Sequence, residues 1–513
     1  MTLLVQDFLH LSAHRFPDKV ALVCGVSRLT YAELEDASNH LAQSLQNLGV
    51  ARGDRVVIHL PNSVEAVVGI FGVLKAGGVF VVVNRAIKTD KLTFILNNCR
   101  ASALITDARA VDHGVGETLL EKVPSLRHLI VVSQPPGSFA APHLCHPFSV
   151  RGEAPRFAPS ANGAIDLDLA CLIYTSGTTG EAKGVMCDHS NVVFVTQSVV
   201  ESLQNTSDDI VLSVLPLAFS YGLYQLMGTV CTGGTLVLEE SFAFPAIVME
   251  KLVQEQVTGF AGVPTIYSMI LGLDLGAYDL SHLRYLTNAA AGLPVAQVKR
   301  LRQLFPSVEL YLMHGLTEVA RTMRLPPEQV DLRPGASGCA IPDTELWIED
   351  ETGRRLGPGE VGELVVRGRH VMRGYWEDPR QTAERFRPGP LPGERLCYSG
   401  DLFRTDEEGF FYFVSRKDDI IKSRGEKVSP REVENVLYAM PGVKDAAVVG
   451  IPDPLLGQAV KAFVVASDSS LTKAAVIGHC KARLEDFMVP QQVEFLGELP
   501  KTDNGKIRKL DLR

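Results

Sequence analysis

Residues 174–185 read YTSGTTGEAKGV and follow the apolar stretch LACLIY. Thr175, Ser176, Gly177, Thr178, Thr179 and Gly180 form an unbroken run of small or hydroxyl residues. Such a run presents backbone N–H groups and hydroxyls that can wrap phosphate oxygens, and Lys183 adds a positive charge. The pattern is not GxxxxGK[ST]: Ala182 precedes the lysine and Gly184 follows it. Other chemistry-bearing residues are less telling alone. Glu318 after Thr317 reads as a turn carboxylate, Asp401 and Arg416 as surface charges, and Lys506 as part of a solvated basic tail.

The elements that must position these groups have a clear rhythm. Apolar, β-branched runs (RVVIHL, VFVVV, IVLSVL, TLVLEE) alternate with helical patterns such as VEAVVGIFGVLKAGG, as in βαβ units around a largely parallel sheet. FGVLKAGGVFVVV is echoed by MGTVCTGGTLVLEE, which points to two related halves, each with a helix stopped by a glycine pair. From residue 340 to 413 the pattern is short strands with Gly and Pro turns, a small β-rich unit. Residues 133–163, with six prolines, and RPGPLPGE read as surface connections. A last unit begins near Asp418; Ser429, Pro430 and Glu432 spell a capping box with proline in the first turn. The expected architecture is α/β: a large N-terminal domain (1–417) and a small C-terminal α/β domain (418–513).

Bulk properties set limits. A chain of 513 residues with 46% hydrophobic and 21% charged residues is an ordinary globular composition of several domains. A net charge of −9 argues against a broad basic surface for nucleic acid. Nine scattered cysteines without zinc spacing read as free thiols of a reducing, cytoplasmic compartment. The N-terminus has Asp7 and His10 within its apolar stretch, so it reads as an amphipathic helix. Lys75 and Gly77-Gly78 interrupt the most apolar run, which excludes a membrane span there.

The ordered motifs, taken together, resemble the adenylate-forming superfamily of acyl- and aryl-CoA synthetases, peptide-synthetase adenylation domains and beetle luciferases. The resemblance covers essentially the whole chain. It implies that residues 175–180 and Lys183 bind the phosphates of ATP, with Ala182 standing where relatives carry proline. HGLTE (314–318) is similar to a Tyr-Gly-x-Thr-Glu motif. His314 then takes the place of the ring beside adenine, Gly315, Leu316 and Thr317 line the nucleotide, and Glu318 helps hold Mg2+. NAAAGLP (288–294) matches the adenine-side loop, with Ala291 and Gly292 at the nucleotide and Ala289 at the acyl pocket. Its extra methyls are expected to shrink that pocket. Asp401 of YSGD implies a carboxylate bonded to both ribose hydroxyls. Phe413 and Arg416 flank the nucleotide, Asp418 is the hinge of a mobile small domain, and Gly425 borders a thiol channel. Lys506 of PKTDNGKI matches the catalytic lysine, with Thr175 and Glu318 also implied in catalysis.

The same resemblance places Phe219, Ser220, Tyr221, Gly222, Gly262 and Val263 at the acyl pocket. Amino-acid-activating relatives carry an aspartate where this chain has Ser220, so a substrate ammonium would lack its partner. The implied reaction is AMP-forming: an acid and MgATP give an acyl-adenylate, and the acyl group passes to coenzyme A or to the phosphopantetheine of a separate carrier protein. The expected acid is an aryl, short or medium acyl, or hydroxy acid. The alternative is a stand-alone enzyme loading proline or another amino acid on a peptidyl carrier protein. A luciferase-like oxidase and a non-catalytic nucleotide-binding module rank lower, the latter because Lys506 and Glu318 are both present.

Overall fold

A computed structural model describes residues 4–107, 115–132, 145–148, 163–176, 182–424, 426–467, 470–502 and 506–512. Most of the expected connection at 133–163 lies outside them.

Two large sheets form the bulk of the chain. The first runs, in spatial order, Gly374–Tyr375, Ala182–Asp188, Leu169–Ser176, Val79–Val82, Arg55–His59, Ala101–Asp107, His128–Val132 and Cys145–Pro147. Its pairs from Leu169–Ser176 outward to Cys145–Pro147 are parallel, and Leu169–Ser176 with Ala182–Asp188 is an antiparallel hairpin. The second sheet is parallel from Glu309–His314 through Tyr285–Asn288, Gly259–Gly262, Ile210–Ser213 and Thr235–Leu238 to Val20–Cys24. Parallel strands are buried on both faces, which is why their sequences are continuous Val/Ile/Leu runs.

The echo between the halves is structural. Helix Val64–Ala76 ends at Gly77 (φ +88°) and feeds strand Val79–Val82. Helix Ser220–Thr232 ends at Gly233 (φ +84°) and feeds Thr235–Leu238. Both glycines take the left-handed conformation that lets the chain turn back into a sheet. Val64–Ala76 is buried on nearly all sides, so Lys75 enters the core with partners: its ammonium donates to Glu35 at 2.6 Å and to Ser38 and Asn39 at 2.7 Å.

Thr344–Glu349, Val361–Gly368, Arg395–Thr405, Phe386–Pro388 and Phe411–Arg416 form an antiparallel five-stranded sheet, the small β-rich unit. Part of RPGPLPGE is therefore strand rather than loop: Arg387 and Pro388 pair with Leu396 and Arg395. A fourth sheet is built on the hairpin Val443–Asp453 and Gly457–Ala466. Helix Pro430–Tyr438 packs on it. Ser429 caps that helix by accepting from the Glu432 N–H and donates its own hydroxyl to the Val414 carbonyl at 2.6 Å; among the described residues the Glu432 side chain does not return a contact to the Ser429 N–H, so only half of the expected capping box forms. All nine cysteines are free thiols. Among the described residues no helix is long and apolar enough to cross a membrane.

Candidate active site

In a parallel sheet the strand carboxyl ends open a crevice that neighbouring loops line. Gly262 and Asn288 are register partners at the ends of adjacent strands, and His314 ends the next one. Thr175 is near the end of its strand and faces Lys183 across the hairpin. Gly177, Thr178, Thr179 and Gly180, like Gly425, lie outside the described residues.

His314 organises one side of the cleft. Its Nδ1 lies 2.8 Å from the Thr322 hydroxyl and its Nε2 3.2 Å from an Asp401 oxygen. The imidazole stacks on Phe413 at 6.4 Å and meets the edge of Phe403 at 5.0 Å. Arg416 approaches the other Asp401 oxygen at 3.3 Å. Burial disfavours the Asp401 carboxylate, but the His314 contact, Arg416 and Arg385 outweigh it and hold the group below its ordinary pKa. The cleft thus keeps an ionised acceptor where the resemblance expects ribose.

Glu318 is 8% exposed. Its Oε1 accepts from the Tyr375 hydroxyl at 2.5 Å and lies 3.8 Å from Arg385. Among the described residues no protein donor bonds its Oε2. Burial and then the Glu318 charge push the Tyr375 phenol up, so it remains a donor. Lys183 lies 5.5 Å above the Tyr375 ring, which ties the hairpin of Leu169–Ser176 and Ala182–Asp188 to Glu318 through one side chain. Sequence reasoning missed Tyr375 and Arg385. Each is an unremarkable residue, of a two-residue edge strand or of a short helix, until the fold brings it to Glu318, 57 positions from Tyr375.

Lys506 reaches the same cleft from the C-terminal tail. Burial and the Arg416 charge lower its proton affinity, while Asp401 and Glu318 raise it. The residue nonetheless keeps exposed surface. A second contact joins the last unit to the loop at residues 288–294. Arg431 lies 5.6 Å over Phe413, and its guanidinium occupies the space that a side chain at Gly292 would need. Ala291 is exposed, Thr317 and Leu316 are half-buried, and Asp418 is exposed in the turn Lys417–Asp419.

The expected acyl-pocket residues cluster at the start of helix Ser220–Thr232 and at the strand ends. The Tyr221 hydroxyl bonds the Thr287 carbonyl at 2.9 Å and lies 2.7 Å from its hydroxyl. A Cβ at Gly222 would sit 2.4 Å from the Pro216 carbonyl oxygen, so only glycine fits there. Val263 and Ala289 are buried, and Phe219 and Ser220 are half-buried. Ala290 has φ +71°, a left-handed conformation.

A caged carboxylate at the carboxyl ends of a parallel sheet, with a lysine brought in from the C-terminal tail, is an arrangement suited to binding and acting on a nucleotide's phosphates. Comparison with known proteins agrees. The chain matches the AMP-binding enzyme family over residues 9–376 and the AMP-binding enzyme C-terminal domain over 432–506. It is 33% identical to the long-chain-fatty-acid–CoA ligase of Escherichia coli O157:H7, covering 99% of this chain and 93% of that one. It is 34% identical to a feruloyl-CoA synthase of Amycolatopsis sp, covering 98% and 96%. It superposes on an anthranilate CoA ligase in complex with anthranoyl-AMP with a TM-score of 0.89 and 27% identity, over 99% and 96% of the two chains. The chain belongs to the AMP-binding enzyme family and is an acyl-adenylate-forming ligase.

Proposed function

We propose that the chain activates an aryl, short or medium acyl, or hydroxy acid and transfers it to coenzyme A. The observation that carries this reading is the convergence of Lys506, Arg416, Asp401 and Glu318 on one cleft. The acid's carboxylate attacks the α-phosphorus of ATP, an acyl–phosphate bond forms, and the bond to pyrophosphate breaks. Negative charge moves from the nucleophile through the α-phosphate to the leaving group, and the Lys506 ammonium stabilises it. Lys183, Thr175, Ser176 and residues 177–180 hold the phosphates. Asp401 accepts from the ribose hydroxyls, with His314 and Phe413 beside the base. Glu318 suits Mg2+, since its Oε2 is a hard donor without a protein partner among the described residues; a bound ion would neutralise phosphate charge there.

In the second half-reaction the thiol attacks the acyl carbonyl, AMP leaves, and the thiol proton passes to solvent. We assign residues 1–417 and 418–513 to two domains that reorient about Asp418 between the halves, with the thiol entering past Gly425. Two of the hydrophobic clusters draw only on residues from 421 onward, which favours independent movement. Coenzyme A is the assigned thiol because the named relatives are CoA enzymes; a carrier protein's phosphopantetheine offers the same group. Free cysteines throughout are consistent with a cytoplasmic setting.

The test is ATP–pyrophosphate exchange across aryl, fatty, hydroxy and amino acids, with Lys506→Ala as the control. Exchange with non-amino acids, slowed about 10²- to 10³-fold in the variant, is expected. Exchange with proline or another amino acid alone would overturn the substrate assignment.

A further inference from the structure

Arg321 is 4% exposed, and no side-chain hydrogen bond or ion pair to it occurs among the described residues. Its Nε is buried without a partner. The nearest groups of opposite tendency are phenols: the guanidinium lies 5.4 Å from the centre of the Tyr221 ring, and Tyr224 is also close enough to act on its charge. Both phenols are held neutral by burial, and the Tyr224 hydroxyl is unpartnered too. A ring face attracts a cation only weakly compared with the loss of hydration at full burial.

The backbone is bent to place this charge. Ala320 has φ +53°, a strained value for a residue with a Cβ, and the next residue is Arg321. Four buried residues in a row, Val319 to Thr322, carry the chain from Glu318 past Tyr221. An uncompensated cation on a strained loop lowers the stability of the free protein. Such a feature persists where a ligand supplies the missing charge.

We propose that Arg321 is a specificity-determining residue that binds a second anionic group, at the end of the substrate remote from the activated carboxylate. The preferred substrate is then a dicarboxylic acid, or an acid ending in an equivalent anionic oxygen. This rests on the placement of Tyr221 in the acyl pocket under the proposed function. A planar guanidinium pairs with a carboxylate through two parallel hydrogen bonds, and Tyr224 has a free hydroxyl to add a third. The overall reaction is unchanged, because the remote group is bound and not activated.

The experiment is ATP–pyrophosphate exchange with matched pairs of acids, straight-chain and aromatic, each with and without a terminal carboxylate. Full-length wild type, Arg321→Met and Arg321→Lys are compared, each with a thermal melt. The expected result is a wild-type kcat/KM at least about 100-fold higher for the diacid of one pair. In Arg321→Met that preference disappears through KM, and Arg321→Lys keeps part of it. The melt of Arg321→Met stays level or rises, since an unpaired buried charge has gone; an arginine serving only the fold would lower it. Wild-type preference for the monoacids, with the same ranking in Arg321→Lys, overturns the inference while leaving the ligase assignment intact. Absence of exchange with every acid, matching Lys506→Ala, overturns both.

Discussion

At the residue scale the site depends on a few charges whose surroundings fix their ionisation. Asp401 has His314 on one oxygen and Arg416 on the other, an arrangement that suits the ribose-accepting role proposed for it. Asp401→Asn replaces one acceptor with a donor aimed at those same donors. The expected outcome is a 10- to 100-fold rise in KM for ATP, roughly 1.5–3 kcal/mol for a charged hydrogen bond, measured by exchange at saturating acid. Tyr375 fixes Glu318 through one hydroxyl. Tyr375→Phe leaves that carboxylate with Arg385 alone, and the Mg2+ concentration for half-maximal exchange should rise about 10-fold, roughly 1.4 kcal/mol. An unchanged requirement would show that Tyr375 does not orient Glu318. These partnerships were not legible in the sequence. Glu318 stood out by its motif, but nothing near residue 375 announces a hydroxyl aimed at it.

At the scale of elements, the sequence revealed what local chemistry enforces. Gly77 and Gly233 stop their helices because the left-handed turn demands glycine, and the strands that follow are the expected ones. The loop at residues 288–294 is different. Ala290 takes the left-handed conformation where an unsubstituted Cα would be easier. Ala290→Gly relieves about 1–2 kcal/mol of steric cost and gives back part of it as backbone entropy. A net gain of about 0.5–1 kcal/mol is expected in urea unfolding; a loss would show that the methyl group's packing outweighs the strain. RPGPLPGE shows the limit of composition as a guide. Its prolines marked it as a loop, yet Arg387 and Pro388 sit on an edge strand, where the missing N–H of proline has no ladder partner to lose.

At the scale of the whole molecule, two buried histidines link stability to pH. His189 and His370 are almost fully buried, and burial pushes both down to about 4 from an ordinary 6.5. The unfolded chain therefore binds protons that the folded chain refuses. Their stability contribution is complete above the unfolded value and is lost as pH falls from 6.5 toward 4, roughly 3 kcal/mol each. Urea melts across that interval should show the slope, and His370→Phe, beside the Phe194 ring, should reduce it. An equal slope in the variant would place the acid sensitivity elsewhere.

The sequence by itself determined the class of fold and the reaction. Parallel-sheet strands, helix stops and phosphate-wrapping loops are local devices, written in contiguous residues whose types follow from backbone geometry. Glu318, Asp401, Arg416 and Lys506 were singled out only through the family resemblance of the motifs that carry them. Only the tertiary structure decided what faces them: Tyr375 and Arg385 on Glu318, Thr322 on His314, and Arg431 against the loop at Gly292. It also decided that Arg321 is buried beside Tyr221 without a counter-charge among the described residues. The cost of burying a charge depends on every group that surrounds it in space, and those groups come from distant parts of the chain.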